Sequence, residues 1–181
     1  SDNGPWFEGS TGGLRGRKGG AGYDGAYRVP CIVRWPGHVP ANTRSDAIAM
    51  GIDFLPTFCA LAGLNTPADV ELDGKDISGV LTASAPSPHE ELILFQGDEV
   101  VGIRTQQWKH VNADLYMTNL MLLDGRGYPQ LYDMRDPREQ YSVASLHPEV
   151  VRTMQARLAR ASDRFAPFRT GLSAVDAARP A

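Results

Sequence analysis

The sequence predicts an α/β chain: a loop-rich first part with one strand and one helix, then a small antiparallel sheet packed with a terminal helix. Three observations carry this reading. Apolar residues recur at helical spacing over 53–64 and again over 147–165. Short apolar runs at 91–95, 100–104, 108–111 and 130–133 are separated by turn residues, the pattern of an antiparallel meander. Residues 1–28 are crowded with glycine and lack a sustained apolar period, as a long functional loop would.

Taken in order, residues 28–35 (Arg28-Val29-Pro30-Cys31-Ile32-Val33-Arg34-Trp35) read as a strand stopped by Pro36-Gly37. The helix over 53–64 carries Phe54, Leu55, Phe58, Leu61 and Ala62 as its apolar face. Asp53 is its expected N-cap, Pro56 fits its first turn, and Gly63 is its stop. From 65 to 88 the composition shifts to Pro, Asp, Ser and Gly, which marks a junction. The expected organisation is therefore 1–64 as one part, 65–88 as junction, 89–165 as an antiparallel subdomain with its helix, and 166–181 as an irregular tail. The last helix aligns Val150, Val151, Met154, Leu158 and Ala161 on one face.

Composition narrows the partners. The 181 residues can bury a core, and 42% hydrophobic with 22% charged residues is ordinary for a globular chain. A net charge of −3 gives no electrostatic footprint for nucleic acid. No run approaches the roughly 18 apolar residues of a membrane span. Cys31 and Cys59 sit in apolar settings and are expected to be buried free thiols.

The chemistry is concentrated at the start. Asp2-Asn3-Gly4 offers a carboxylate and a carboxamide, two hard oxygens suited to a divalent cation such as calcium. Lys18 follows in Leu14-Arg15-Gly16-Arg17-Lys18-Gly19-Gly20, a mobile positive charge able to reach a bound anion. Cation-binding oxygens beside an anion-binding lysine point to a sulfate or phosphate ester. Read without context, Asp-Asn-Gly is also a common turn and a lone lysine a solvated loop charge. Trp6, just after the triplet, is the aromatic expected to line a substrate cleft. A chain that opens on its most chemical residues also reads as cut from something longer.

These segments, taken together, resemble the C-terminal portion of a formylglycine-dependent sulfatase of the arylsulfatase family, within the alkaline phosphatase-like superfamily. Ser1-Asp2-Asn3-Gly4 resembles the metal motif and Leu14 to Gly19 the lysine loop. Tyr23-Asp24-Gly25, Arg28-Val29-Pro30 and Ile32-Val33-Arg34-Trp35-Pro36-Gly37 are similar to the segment after it. Asp53-Phe54-Leu55-Pro56-Thr57, Leu61-Ala62-Gly63, Leu72-Asp73-Gly74, Arg104 with Trp108-Lys109, Leu131-Tyr132-Asp133 and Asp136-Pro137-Arg138-Glu139 follow in the family's order. The family has glutamate where Asp24 stands and a slightly tighter spacing from the lysine to the arginine before Val-Pro. It also has Asn-Leu where this chain has Tyr141-Ser142-Val143.

The resemblance implies an alkaline phosphatase-like fold, with an edge of the large mixed sheet, and roughly the last third of a sulfatase. It makes Asp2 and Asn3 calcium ligands and Lys18 a contact to the sulfate. It implies a sulfate-ester small molecule or a sulfated glycan as substrate, the rest of the sulfatase chain as partner, and a periplasmic, secreted or lysosomal setting. The family's formylglycine arises in Cys-x-Pro-x-Arg; neither Cys31 nor Cys59 fits, so the nucleophile is expected in the absent N-terminal part. His38, His89, His110 and His147 are expected to be exposed or structural, with His110 the one to inspect. Asp133, Asp136 and Glu139 read as surface partners of Arg135 and Arg138. Two alternatives stand beside this reading. One is a phosphate or phosphonate ester hydrolase of the superfamily, whose members tend to carry Asp-His-Gly where Asn3 stands. The other is a non-catalytic light chain or interaction module.

Overall fold

A computed structural model of the chain describes residues 2–116 and 119–170; for 115, 116 and 119 it describes the backbone alone. Ser1 and the expected tail from 171 onward lie outside the described residues. The chain groups into two compact units, one formed by 1–29 with 93–181 and the other by 30–92. The glycine-rich loop thus groups with the C-terminal sheet, although the helix over 53–64 follows it in sequence.

In the first of these units, β1 (Leu92–Gln96), β2 (Glu99–Arg104), β3 (Trp108–Val111) and β6 (Gln130–Asp133) form a sheet in the order β1-β2-β3-β6. β2 and β3 are antiparallel with Ile103 opposite His110, and β3 and β6 are antiparallel with Lys109 opposite Tyr132. The meander read from the sequence is therefore present. A second hairpin, β4 (Ala113–Tyr116) with β5 (Asn119–Leu122), stands between β3 and β6 in the chain. It carries no glycine or proline between its strands and was not expected.

The buried residues of the sheet fall into separate clusters on its two faces, and β2 departs from strict alternation, with Val100 and Ile103 in one cluster and Val101 in another. Val100, Ile103 and Leu131 pack against Val151, Met154, Leu158 and Ala161 of α4 (Pro148–Phe165). Their spacing of three, four and three residues keeps these four on one stripe of the helix, as the sequence predicts. Val111 and Tyr132 face the other way and pack with Tyr23 of the loop, while Val101 and Ala113 pack with Ala21. The glycine-rich loop, with its short helix α1 (Asp24–Tyr27), is therefore the second cover of this sheet.

The unit formed by 30–92 corrects three expectations. Residues 28–35 enter no sheet, and Ile32 is 92% exposed; Pro30 has no N–H to donate, and the run finds no partner strand among the described residues. The helix is α2 (Phe54–Leu61), entered through a 3₁₀ turn at Gly51–Asp53 and stopped by Gly63 at φ +68. Its apolar face is turned outward: Phe54, Leu55 and Phe58 are exposed, while Pro56 and Thr57 are buried. Cys31 is exposed and Cys59 half-buried; both are free thiols.

Asp53 follows the N-cap position but not the N-cap bond. Its carboxylate accepts from Met50 N–H at 2.7 Å and Lys75 N–H at 2.9 Å, and lies 2.8 Å from His89 Nε2. Thr57 adds a bond from its hydroxyl to Asp53 O and accepts from Ile77 N–H. The expected junction at 65–88 is thereby tied to the helix, and it contains a helix of its own, α3 (Ser78–Ala83). At Gly74 a β-carbon would sit 2.0 Å from Ile52 O, so only glycine permits this approach. No helix among the described residues is long and apolar enough to cross a membrane.

Candidate functional site

Three stretches of the glycine-rich loop cross at backbone contact. Gly4 N–H donates to Ala26 O at 2.8 Å, Gly25 N–H to Arg15 O at 2.7 Å, and Lys18 N–H to Pro5 O at 3.0 Å. A β-carbon on Gly4 would lie 1.8 Å from Gly25 O, and one on Gly25 would lie 2.4 Å from Arg15 O and Gly16 O. Sequence order separates Asp2-Asn3 from Lys18, and these bonds bring the backbone of Lys18 against Pro5, two residues past Asn3. Asn3 Nδ2 donates to Asp2 Oδ2 at 2.7 Å, so the two side chains touch. Asp2 and Lys18 are exposed and Asn3 is half-buried.

Trp6 is 59% exposed and meets Phe7 edge-on at 4.6 Å between ring centroids. Arg17 lies 5.5 Å from the Phe7 ring centre and donates to Phe7 O at 3.3 Å. The segment carrying Trp6 is thus attached to the residue preceding Lys18.

Beneath the loop, α1 is pinned to the sheet by charge. Lys109, on the loop face of β3, donates to Asp24 Oδ1 and lies 2.8 Å from Glu139 Oε1, an ion pair outside hydrogen-bond geometry. Glu139 Oε2 in turn accepts from Asp24 N–H at 2.7 Å. Lys109 is 1% and Glu139 2% exposed. The expectation of a surface role for Glu139 is therefore wrong. Asp133 and Asp136 do pair with Arg135 and Arg138 at the surface, but Glu139 adopts φ +54 and turns inward. Burial raises the Glu139 carboxyl above its ordinary range, and Lys109 opposes that rise. Arg104 is lowered by burial, with Asp24 and Glu139 opposing.

Arg15 completes the support. Its guanidinium lies 4.2 Å over the Tyr23 ring and donates to Tyr132 Oη at 2.8 Å, and it pairs with Asp114 at 3.5 Å. Tyr23 also donates to Asp114 at 3.1 Å, and burial pushes its phenol far up.

The histidines take structural places. His89 is buried against Asp53, and His110 lies 2.9 Å from Asp124 and 3.0 Å from Gln130 O. His38 is exposed and stacks on Trp35, and His147 packs near Trp108. Sequence reasoning named Asp24 and Lys109 only within matching segments and Glu139 as a surface partner, and gave none of them a place beneath the loop. The available signal was the strand period, which puts Lys109 on the same face as Val111.

Asp2 and Asn3 supply oxygens from touching side chains, which fits part of a calcium shell of about six to eight oxygens. No group of three or more His, Cys, Asp or Glu residues among the described residues could complete it.

With this architecture in place, the class is that of a sulfatase, in its C-terminal portion. The chain belongs to the family described as N-sulphoglucosamine sulphohydrolase, C-terminal, which matches residues 21–164. It is 33% identical to human arylsulfatase A over 180 residues, covering 86% of this chain and 35% of that protein. It is 32% identical to the N-acetylgalactosamine-6-O-sulfatase of Bacteroides thetaiotaomicron, covering 75% of this chain and 27% of that protein. A solved structure described under the metabolism of multiple glycosaminoglycans by Bacteroides thetaiotaomicron superposes with a TM-score of 0.67 at 31% identity. It covers 84% of this chain and 32% of its own. A Pseudoalteromonas sulfatase shares the fold at a TM-score of 0.67 and 22% identity, covering 81% of this chain and 32% of its own. The chain spans about a third of the length of these relatives. Its fold is alkaline phosphatase-like, as the resemblance implied.

Proposed function

We propose that the longer protein hydrolyses a sulfate ester, and that this chain contributes Asp2 and Asn3 as calcium ligands and Lys18 as the contact to the sulfate. The observation that supports this is the crossing of the loop: Lys18 N–H on Pro5 O brings the backbone of Lys18 beside the segment that follows Asp2 and Asn3, and Gly4 N–H on Ala26 O ties that segment to the same turn. The family membership and the relatives' names support a sulfated substrate, either a small sulfate ester or a sulfated glycan. The carboxamide of Asn3 favours sulfate over phosphate chemistry, since its oxygen suits calcium rather than a transition metal.

In this reading Lys18 holds one sulfate oxygen by charge, on a stem free to follow it as negative charge shifts during reaction. Asp2 and Asn3 would hold the cation, and Gly4 lets the segment behind them pack on Gly25 O, which a β-carbon there would strike. Calcium, when bound, supplies positive charge against the anionic oxygens, a contribution of several kcal/mol in such sites. Trp6 offers an apolar wall to the alcohol part of the ester. The formylglycine nucleophile is supplied from outside this chain.

The test is metal analysis beside kinetics on the full-length protein. Asp2→Ala is expected to lower bound calcium and activity together. Full calcium content in Asp2→Ala would remove Asp2 from the metal site.

A further inference from the structure

The buried ion cluster under the loop grips a turn to which both motifs are tied. Asp24 opens α1; the next residue, Gly25, bonds Arg15 O, three positions before Lys18. The residue after that, Ala26, accepts from Gly4, next to Asn3. Lys109 and Glu139 hold Asp24 by both its side chain and its N–H. Lys109 approaches from β3 and Glu139 from the segment after β6, 85 and 115 residues away in sequence. Arg28 reaches the other Asp24 oxygen at 3.7 Å from the exposed side.

We infer that Lys109, together with Glu139, is a positioning residue that sets the place of Lys18 against the anion by fixing α1 at Asp24. This rests on the sulfate-contact role proposed for Lys18. A buried lysine between two carboxylates could serve folding alone, and much of the cluster's energy goes to offsetting its own desolvation. What argues for more is where it is applied. The backbone crossings at Gly4 and Gly25 leave no room for a side chain, so a shift of α1 is transmitted rather than absorbed. An error of about 1 Å at a charged contact is enough for a hundredfold loss.

The experiment is a double-mutant cycle in the full-length protein, with kcat/KM measured on an aryl sulfate chromogen. Lys109→Met is expected to lower kcat/KM by about 30-fold in the parent and by less than about 3-fold when Lys18 is already alanine, because the two act through one contact. Equal losses in both backgrounds overturn the inference and leave Lys18 in its role. If Lys18→Ala alone retains the parent kcat/KM, the sulfate-contact reading falls and the inference with it. Should Lys109→Met fail to fold, Glu139→Gln carries the same cycle: it keeps an acceptor for Asp24 N–H but removes a charge. The same two readings then apply. Asp136→Asn, three residues away in an exposed pair, controls for local effects and is expected to change kcat/KM by less than 2-fold.

Discussion

Gly4→Ala isolates the contact on which the site depends. Gly4 does not have a positive φ, so alanine meets no backbone penalty there. Its β-carbon would instead stand 1.8 Å from Gly25 O, against the 3.0 Å below which such contacts are not found. One strand of the crossing must therefore move by about 1.2 Å, and the Gly4 N–H bond to Ala26 O is stretched or lost. Overpacking of this kind costs about 1–3 kcal/mol, and a lost buried bond about 1–3 more. The same displacement moves Asp2 and Asn3 relative to Lys18, which predicts a fall in kcat/KM of about a hundredfold or more. Thermal unfolding and chromogenic sulfatase kinetics on full-length Gly4→Ala measure both. Gly51→Ala is the control, since nothing lies within 4 Å of its β-carbon and its φ is not positive. Parent-like melting and activity in Gly4→Ala would refute the crossing as described.

Two further outcomes follow from the same structure. The 181-residue chain alone is expected to give no turnover of an aryl sulfate with calcium present, since neither cysteine stands in a nucleophile motif; turnover abolished by Lys18→Ala would contradict this. Asp133, held at about 2 chiefly by its hydrogen bonds from Arg135, contributes stability that is full above the unfolded carboxylate range and lost as pH falls toward 2. Asp133→Asn should therefore lower stability near pH 7 and flatten the curve between about pH 4 and 2, so that variant and parent converge toward pH 2. Urea midpoints across that range decide it.

How much was legible in the sequence depended on whether the cause was local. α4 could be read because its stripe of Val151, Met154, Leu158 and Ala161 is written at one period and buries against the sheet. The β2–β3 and β3–β6 pairings follow from apolar runs between turns. The run at 28–35 has the same look but no partner strand among the described residues, because pairing is a property of the neighbour as much as of the run. The outward apolar face of α2 failed for a related reason: a helical period names a face without naming what covers it.

The site divided in the same way. Asp2, Asn3 and Lys18 were recognisable as residue types in a glycine-rich setting. The crossing of their segments depends on Gly4, Gly25 and Arg15 O, contacts that no periodicity announces. Glu139 was misread because it ends a run of charged residues that do pair at the surface. Only its φ of +54 turns it toward Lys109.

The central claim is that Lys18 touches the sulfate while Asp2 and Asn3 hold the metal. Steady-state kinetics and calcium analysis on full-length Lys18→Ala test it most directly. The expected result is a kcat/KM lowered by about a hundredfold or more and weaker inhibition by inorganic sulfate, with calcium content unchanged. A Lys18→Ala protein with the parent kcat/KM and the parent sulfate inhibition would contradict it.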